Sequence, residues 1–136
     1  MEAHTAPELM LLGAAVLIGF VHLFWASATA NAQWKDLKWN MGPRDTPKPP
    51  LTGMAARLQR AFANFQETFP LFVAALLATY LAAKLGPRTL WGASLYVVAR
   101  ALYLPMYAFG VPVGRTVVWL ASIIGILMVL SALVRA

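Results

Sequence analysis

RLQRAFANFQETFPLFVAALLATYLAAK, residues 57–84, reads as a membrane span that keeps Arg57, Arg60, Asn64 and Glu67 in its first half and runs uncharged from Thr68 to Ala83. Ionisable groups in hydrocarbon cost several kcal/mol unless they face a bundle interior or a wet cavity, so a span that retains them is using them. At about 100° per residue the four polar positions fall within about 80° of one another, one stripe on one helix. Pro70 sits in the same helix, where it should bend the axis by freeing the carbonyl of Gln66.

The rest of the chain agrees with a membrane setting. Its 136 residues are 60% hydrophobic and 12% charged, with a mean hydropathy of +0.66, too apolar for a soluble domain of this size. The pattern predicts one all-α integral membrane domain over residues 1–136, a four-transmembrane-helix antiparallel bundle with spans near 8–33, 53–84, 89–107 and 115–134. Pro7 suits the first turn of a helix, while Gly86-Pro87 and the stretch from Gly110 to Gly114 with Pro112 supply breaks; Pro105 blurs the end of the third span. Ala30-Asn31-Ala32 resembles a signal-peptidase site, but Glu2 and Glu8 stand where a signal peptide carries basic residues, so the first span is retained. Residues 34–52 hold Pro43, Pro47, Pro49 and Pro50 and form a long loop that is not helical throughout, either a tether anchored by Trp34 and Trp39 at the head-group level or a lid over a binding site.

The formal charge of +6 does not indicate nucleic acid, because the basic residues cluster at the ends of apolar segments without a recognition motif. Anionic lipid head groups or a small anionic ligand suit them better. No cysteine is present, which excludes disulfides, thiolate metal sites and a cysteine nucleophile, and His4 and His22 alone make no metal site. His22, in mid-span, is expected to form an interhelical hydrogen bond. Trp25, Trp91 and Trp119 read as packing or belt residues, and Gly13, Gly19 and Gly125 as points of close helix approach. An N-terminus outside places eight Lys and Arg at the inner ends and three, Lys84, Arg88 and Arg135, outside, so the long loop is cytoplasmic.

On the third span Tyr96, Arg100, Tyr103 and Tyr107 recur at helical intervals, and Arg115 with Thr116 opens the fourth at the same inner end. Three segments therefore aim cations, phenols, an amide and one carboxylate into one compartment. Removing several arginines from water to offset only Glu67 leaves positive charge that calls for an anion.

The run Arg60-Ala-Phe-Ala-Asn64-Phe-Gln-Glu67-Thr-Phe-Pro70 resembles the second-helix signature of the MAPEG superfamily, the membrane-associated proteins of eicosanoid and glutathione metabolism. Arg100-x-x-Tyr103-x-x-x-Tyr107 followed by Arg115 is similar to that family's later pattern, so the resemblance covers nearly the whole chain. It implies a homotrimer of a bacterial-type microsomal glutathione transferase-like protein in the inner membrane, with glutathione bound between subunits near the cytoplasmic side. It further implies that Arg57, Arg60, Asn64, Glu67, Arg100, Tyr103 and Tyr107 hold glutathione. Arginine forks suit its two carboxylates, and Glu67 suits its ammonium. Arg115 is the candidate for stabilising the thiolate, with Tyr107 and Thr116 as auxiliary donors. The second substrate would be a lipophilic electrophile, hydroperoxide or other lipid arriving through the bilayer.

Leukotriene-type members carry a thiol-activating arginine at the inner end of the first helix, where this chain has Ala30, Asn31, Ala32 and Gln33, leaving Arg44 as a substitute. Thr68 stands where some members place a tyrosine. A broad glutathione transferase or peroxidase therefore fits better than a dedicated eicosanoid synthase. Two alternatives are a non-catalytic lipid-binding scaffold of the same fold and a small four-helix multidrug exporter; the surplus arginines would repel the cationic drugs of the latter.

Overall fold

The computed structural model describes residues 5–135 and contains five helices: α1 Pro7–Trp34, α2 Leu37–Met41, α3 Gly53–Leu81, α4 Pro87–Ala108 and α5 Pro112–Ser131. The expectation for His4 falls outside the described residues. The protein is all-helical and membrane-embedded, and α1, α3 and α5 are long and apolar enough to cross a bilayer. Helix α4 misses that standard because Arg88, Arg100 and its tyrosines lower its hydropathy.

Pro7, Pro87 and Pro112 each occupy a first-turn position, where the missing amide costs nothing and φ is already set for a helix. That is why α5 begins three residues earlier than the sequence pattern suggests. Pro70 and Pro105 lie inside continuous helices.

Contacts at the two ends fix the helix directions. At one end Glu8, buried in the first turn of α1, accepts a 2.8 Å hydrogen bond from Thr89 Oγ1 in the first turn of α4. Lys84, just before α4, donates to the carbonyls of Leu133 and Arg135 beyond α5 at 2.8 and 2.7 Å. At the opposite end Arg57 Nε, in the first turns of α3, donates at 2.9 Å to the carbonyl of Ala108, the last residue of α4. A cation on the final carbonyls of a helix is doubly favoured, by the hydrogen bond and by the helix dipole.

Two apolar clusters fill the interior. Ala15, Phe72, Leu76, Ala93, Tyr96 and Val129 make one, toward the end that holds Glu8 and Thr89; Ala26, Leu58, Ala61, Tyr103, Leu104 and Ala108 make the other, toward the end that holds Arg57. Between them runs a polar seam of His22, Asn64, Thr68 and Arg100. His22 is fully buried, and neither ring nitrogen has a hydrogen-bond partner among the described residues. The expected interhelical bond is absent because the imidazole stacks on Phe65, 4.9 Å between centroids, with Phe62 at 6.2 Å. Helices α4 and α5 approach most closely at Gly92 and Gly125, where a Cβ on either residue would lie within 2.7 Å of the other's carbonyl oxygen. Gly19 faces the Phe65 ring, whereas Gly13 has open space around it.

The long connection is closed by nested contacts. Gln33 and Thr52 exchange two hydrogen bonds of 2.8 and 3.0 Å, Trp34 Nε1 donates to Pro49 O, Lys48 pairs with Asp36, and Trp39 Nε1 donates to Thr46 O. The two indole N–H groups therefore tie the loop to itself. Lys48, followed by the Trp39 backbone amide, holds the Asp36 carboxyl below the usual range. A depressed carboxyl pKa means that this contribution is complete above the ordinary value of about 3.9 and is lost as pH falls through the lowered one. Tryptophan emission should accordingly shift only under strongly acidic conditions, and Asp36→Asn should show the shifted emission at neutral pH; an unchanged neutral spectrum would contradict the role given to the pair.

Candidate functional site

The stripe expected on α3 divides in space. Arg57 turns to the end of α4, where it caps Ala108 and lies against Gly110, and it does not line the cleft described below. Gly110 adopts φ +74°, a turn geometry that brings α5 back beside α4 and sets Arg115 near Tyr107.

An open cleft of about 230 Å³ lies where α3, α4 and α5 meet, lined by Asn64, Tyr103, Tyr107, Arg115, Thr116 and Trp119. Tyr107 is its centre. The Arg115 guanidinium carbon lies 4.6 Å from the ring centroid, and that of Arg60 lies 5.9 Å from it. Arg60 Nε also donates to the Tyr107 hydroxyl at 3.2 Å, which leaves the phenolic proton available to a ligand. Two guanidinium groups thus share one aromatic ring.

Behind this pair Arg100 is fully buried, 4.6 Å from the Tyr103 centroid, and its Nη2 donates to Asn64 Oδ1 at 2.9 Å. Asn64 Nδ2 in turn reaches Glu67 Oε2 at 3.5 Å, a long contact. Arg100 does not itself line the cleft; it sets Asn64, which does. Its Nε and Nη1 remain without partners among the described residues. Glu67 and Arg60 are exposed on the surface of the chain, and the Thr116 hydroxyl at the cleft wall donates to Pro112 O at 3.3 Å. Of the residues singled out from the sequence, Asn64, Tyr103, Tyr107, Arg115 and Thr116 are gathered at the cleft, Arg60 and Glu67 border it, Arg100 backs it through Asn64 and Tyr103, and Arg57 stands apart.

None of Arg57, Arg60, Arg100 and Arg115 forms an ion pair among the described residues, where the salt bridge found is Lys48 with Asp36. An aromatic face returns about 0.5–2 kcal/mol to a cation, whereas withdrawing a charge from water costs several kcal/mol. Tyr107 and Tyr103 therefore do not neutralise the guanidinium groups beside them. The donor set fits an anion with more than one acidic group: Arg60 and Arg115 for carboxylates or a thiolate, Asn64 and Tyr107 for neutral hydrogen bonds, and Glu67 for an ammonium.

Trp119 was not read as a site residue from the sequence. It lies one turn beyond Arg115 on the same face of α5, and its indole N–H is buried with no acceptor among the described residues. Extending the polar stripe of α5 by four residues would have found it. Arg44, the substitute considered for thiol activation, instead donates to Asn40 O and lies over Trp39, away from the cleft.

No match is found among curated proteins. A family model described as MAPEG family matches residues 11–135, a range that takes in the cleft, all of α3, α4 and α5 and most of α1, and the chain therefore belongs to the MAPEG family.

Proposed function

We propose that the protein is a glutathione-dependent membrane transferase with peroxidase capacity, acting on lipophilic electrophiles delivered by the bilayer. The observation that carries this reading is the pair of unneutralised guanidinium groups, Arg60 and Arg115, flanking Tyr107 at an open cleft. Glutathione matches the donor set because it brings two carboxylates, one ammonium and one ionisable thiol.

In this reading all four long helices cross the membrane as an antiparallel bundle, with the N-terminus outside and the cleft toward the cytoplasmic side, as the excess of basic residues at that end favours. The cleft is completed between copies of the chain. Its volume in one protomer, about 230 Å³, lies below the roughly 300–1,000 Å³ of ligand pockets. Gln59, Arg60, Gln66 and Glu67 are exposed along α3, a polar face that hydrocarbon does not solvate. A homotrimer with α3 toward the neighbouring subunits covers that face.

Arg115 stabilises the thiolate, assisted by the Tyr107 and Thr116 hydroxyls. The thiolate then attacks carbon to form a thioether as the leaving group departs. With a hydroperoxide it attacks the outer oxygen instead; the O–O bond breaks to give an alcohol, and a second glutathione converts the sulfenic acid to the disulfide and water. Calorimetric titration of the purified protein with glutathione should show saturable binding that weakens at least about tenfold in Arg60→Ala and in Glu67→Ala, the loss of one charge-assisted contact. Equal heats in all three would reject the pocket. Saturable binding with no conjugation of any electrophile would favour the lipid-binding scaffold.

A further inference from the structure

We propose that the connection between α1 and α3 is a preformed foot for acidic phospholipid, in which Leu37 and Met41 enter the bilayer interface while Lys35 and Lys38 hold lipid phosphates. The inference does not depend on glutathione chemistry.

The loop uses up its inward-facing groups. The paired contacts of Gln33 with Thr52, Trp34 with Pro49, Asp36 with Lys48 and Trp39 with Thr46 close it from base to tip. Arg44 and Lys48 lie over the Trp39 ring at 5.5 and 5.2 Å. What remains outside is a different set. Leu37 is 73% exposed and Met41 is 88% exposed. At about 100° per residue these two lie about 40° apart on α2, and Trp39, which packs into the loop, lies on the opposite side. Lys38, about 60° round the helix from Met41, flanks the apolar pair at its edge. Lys35, in the left-handed turn that ends α1, immediately precedes it.

The depth is right for head groups. Asn40 donates to Asn31 of α1 at 2.7 Å, and Trp39, Asn40 and Arg44 share a hollow of about 300 Å³ with Ser27, Ala30, Asn31 and Gln59. The loop is therefore folded back along the last two turns of α1, over a rise of roughly 10 Å at 1.5 Å per residue. An apolar pair at the end of a membrane helix, flanked by lysines, has the amphipathic character of an interfacial element.

Charge selects the occupant. Lys35 and Lys38 form no ion pair among the described residues: of the loop's two carboxylates, Asp36 is taken by Lys48, and Asp45, which borders the same hollow as Lys38, pairs with neither lysine. A second copy docking on this face by twofold symmetry would set these lysines against themselves. An anionic lipid surface neutralises them and receives the apolar side chains at once.

The chain lacks cysteine, so Met41→Cys and Leu37→Cys each accept a single nitroxide label. Collision rates with oxygen, which partitions into lipid, and with a water-soluble nickel chelate would be measured in vesicles of phosphatidylcholine, with and without phosphatidylglycerol. Both labels should favour oxygen when phosphatidylglycerol is present. Adding Lys35→Gln and Lys38→Gln should lower the ratio of docked to undocked loop about 30-fold, the effect of two interfacial cations on acidic lipid. Labels that favour nickel in both membranes, as a water-facing loop or a soluble protein partner requires, would overturn the proposal. So would shielding from both reagents, which would indicate a covering copy of the chain. Native mass spectrometry gives a check that leaves Leu37 and Met41 intact: the wild type should retain more phosphatidylglycerol than the double lysine variant, and equal retention would defeat the assignment of the lysines.

Discussion

Replacing Arg115 with alanine should lower glutathione conjugation about a hundredfold at neutral pH, with most of the loss recovered near pH 9. A free thiol with a pKa of about 8.5 is only about 3% ionised at pH 7, and a cation that lowers it by about two units raises that fraction to about three quarters. Ionisation thus accounts for roughly 25-fold, and the remaining factor reflects loss of a preorganised charge at the reacting sulfur. Alkaline solution supplies the thiolate without help, so the ionisation part of the deficit closes as pH rises. Arg115→Lys should retain an intermediate rate, because an ammonium keeps the charge but loses the planar fork held beside Tyr107. Rates and the ultraviolet absorbance of bound thiolate, followed against pH, give the test. A deficit of the same size at every pH would assign Arg115 to binding instead of thiol activation.

Leucine at position 125 should prevent stable assembly of α4 on α5, and alanine there should destabilise the protein by about 3 kcal/mol, the upper end of overpacking costs. The Cβ added at Gly125 would lie 2.6 Å from Gly92 O and 2.8 Å from Tyr96 N. Both are backbone atoms, so no rotamer change relieves the clash and the helices must separate. Such separation also disperses the site, since α4 carries Tyr103 and Tyr107 while α5 carries Arg115, Thr116 and Trp119. Gly13→Ala is the control: nothing lies within 4 Å of its added Cβ, and alanine is the better helix former by about 1 kcal/mol. Thermal unfolding in detergent should separate the two variants clearly. Equal melting temperatures would show that α4 and α5 have room to adjust.

Helical periodicity placed Arg57 and Arg60 on one stripe, but it does not say which neighbour each meets. Arg57 reaches the terminal carbonyl of α4, whereas Arg60, one turn later, reaches Tyr107. Tyr103, Tyr107 and Arg115 were legible for a different reason, because they recur at helical intervals or open a span at the same end as the polar half of α3. Trp119 was not legible, since an indole near the end of a span is ordinary and its buried, unsatisfied N–H is visible only in the packed structure. For Trp34 and Trp39 the residue type suggested head-group anchoring, but their partners, the carbonyls of Pro49 and Thr46, are set by how the loop folds back.

The amino-acid sequence alone determined the membrane setting, the helical class, the approximate limits of the long helices and the excess of cations over carboxylates. It could do so because hydrocarbon demands that backbone polar groups be satisfied within each segment and makes every retained charge conspicuous. Only the tertiary structure decided which arginines share Tyr107, which one caps a helix, and which face of the loop remains open. Those outcomes depend on helix directions, on the close passage of Gly92 against Gly125, and on contacts between residues distant in the chain, none of which local periodicity encodes.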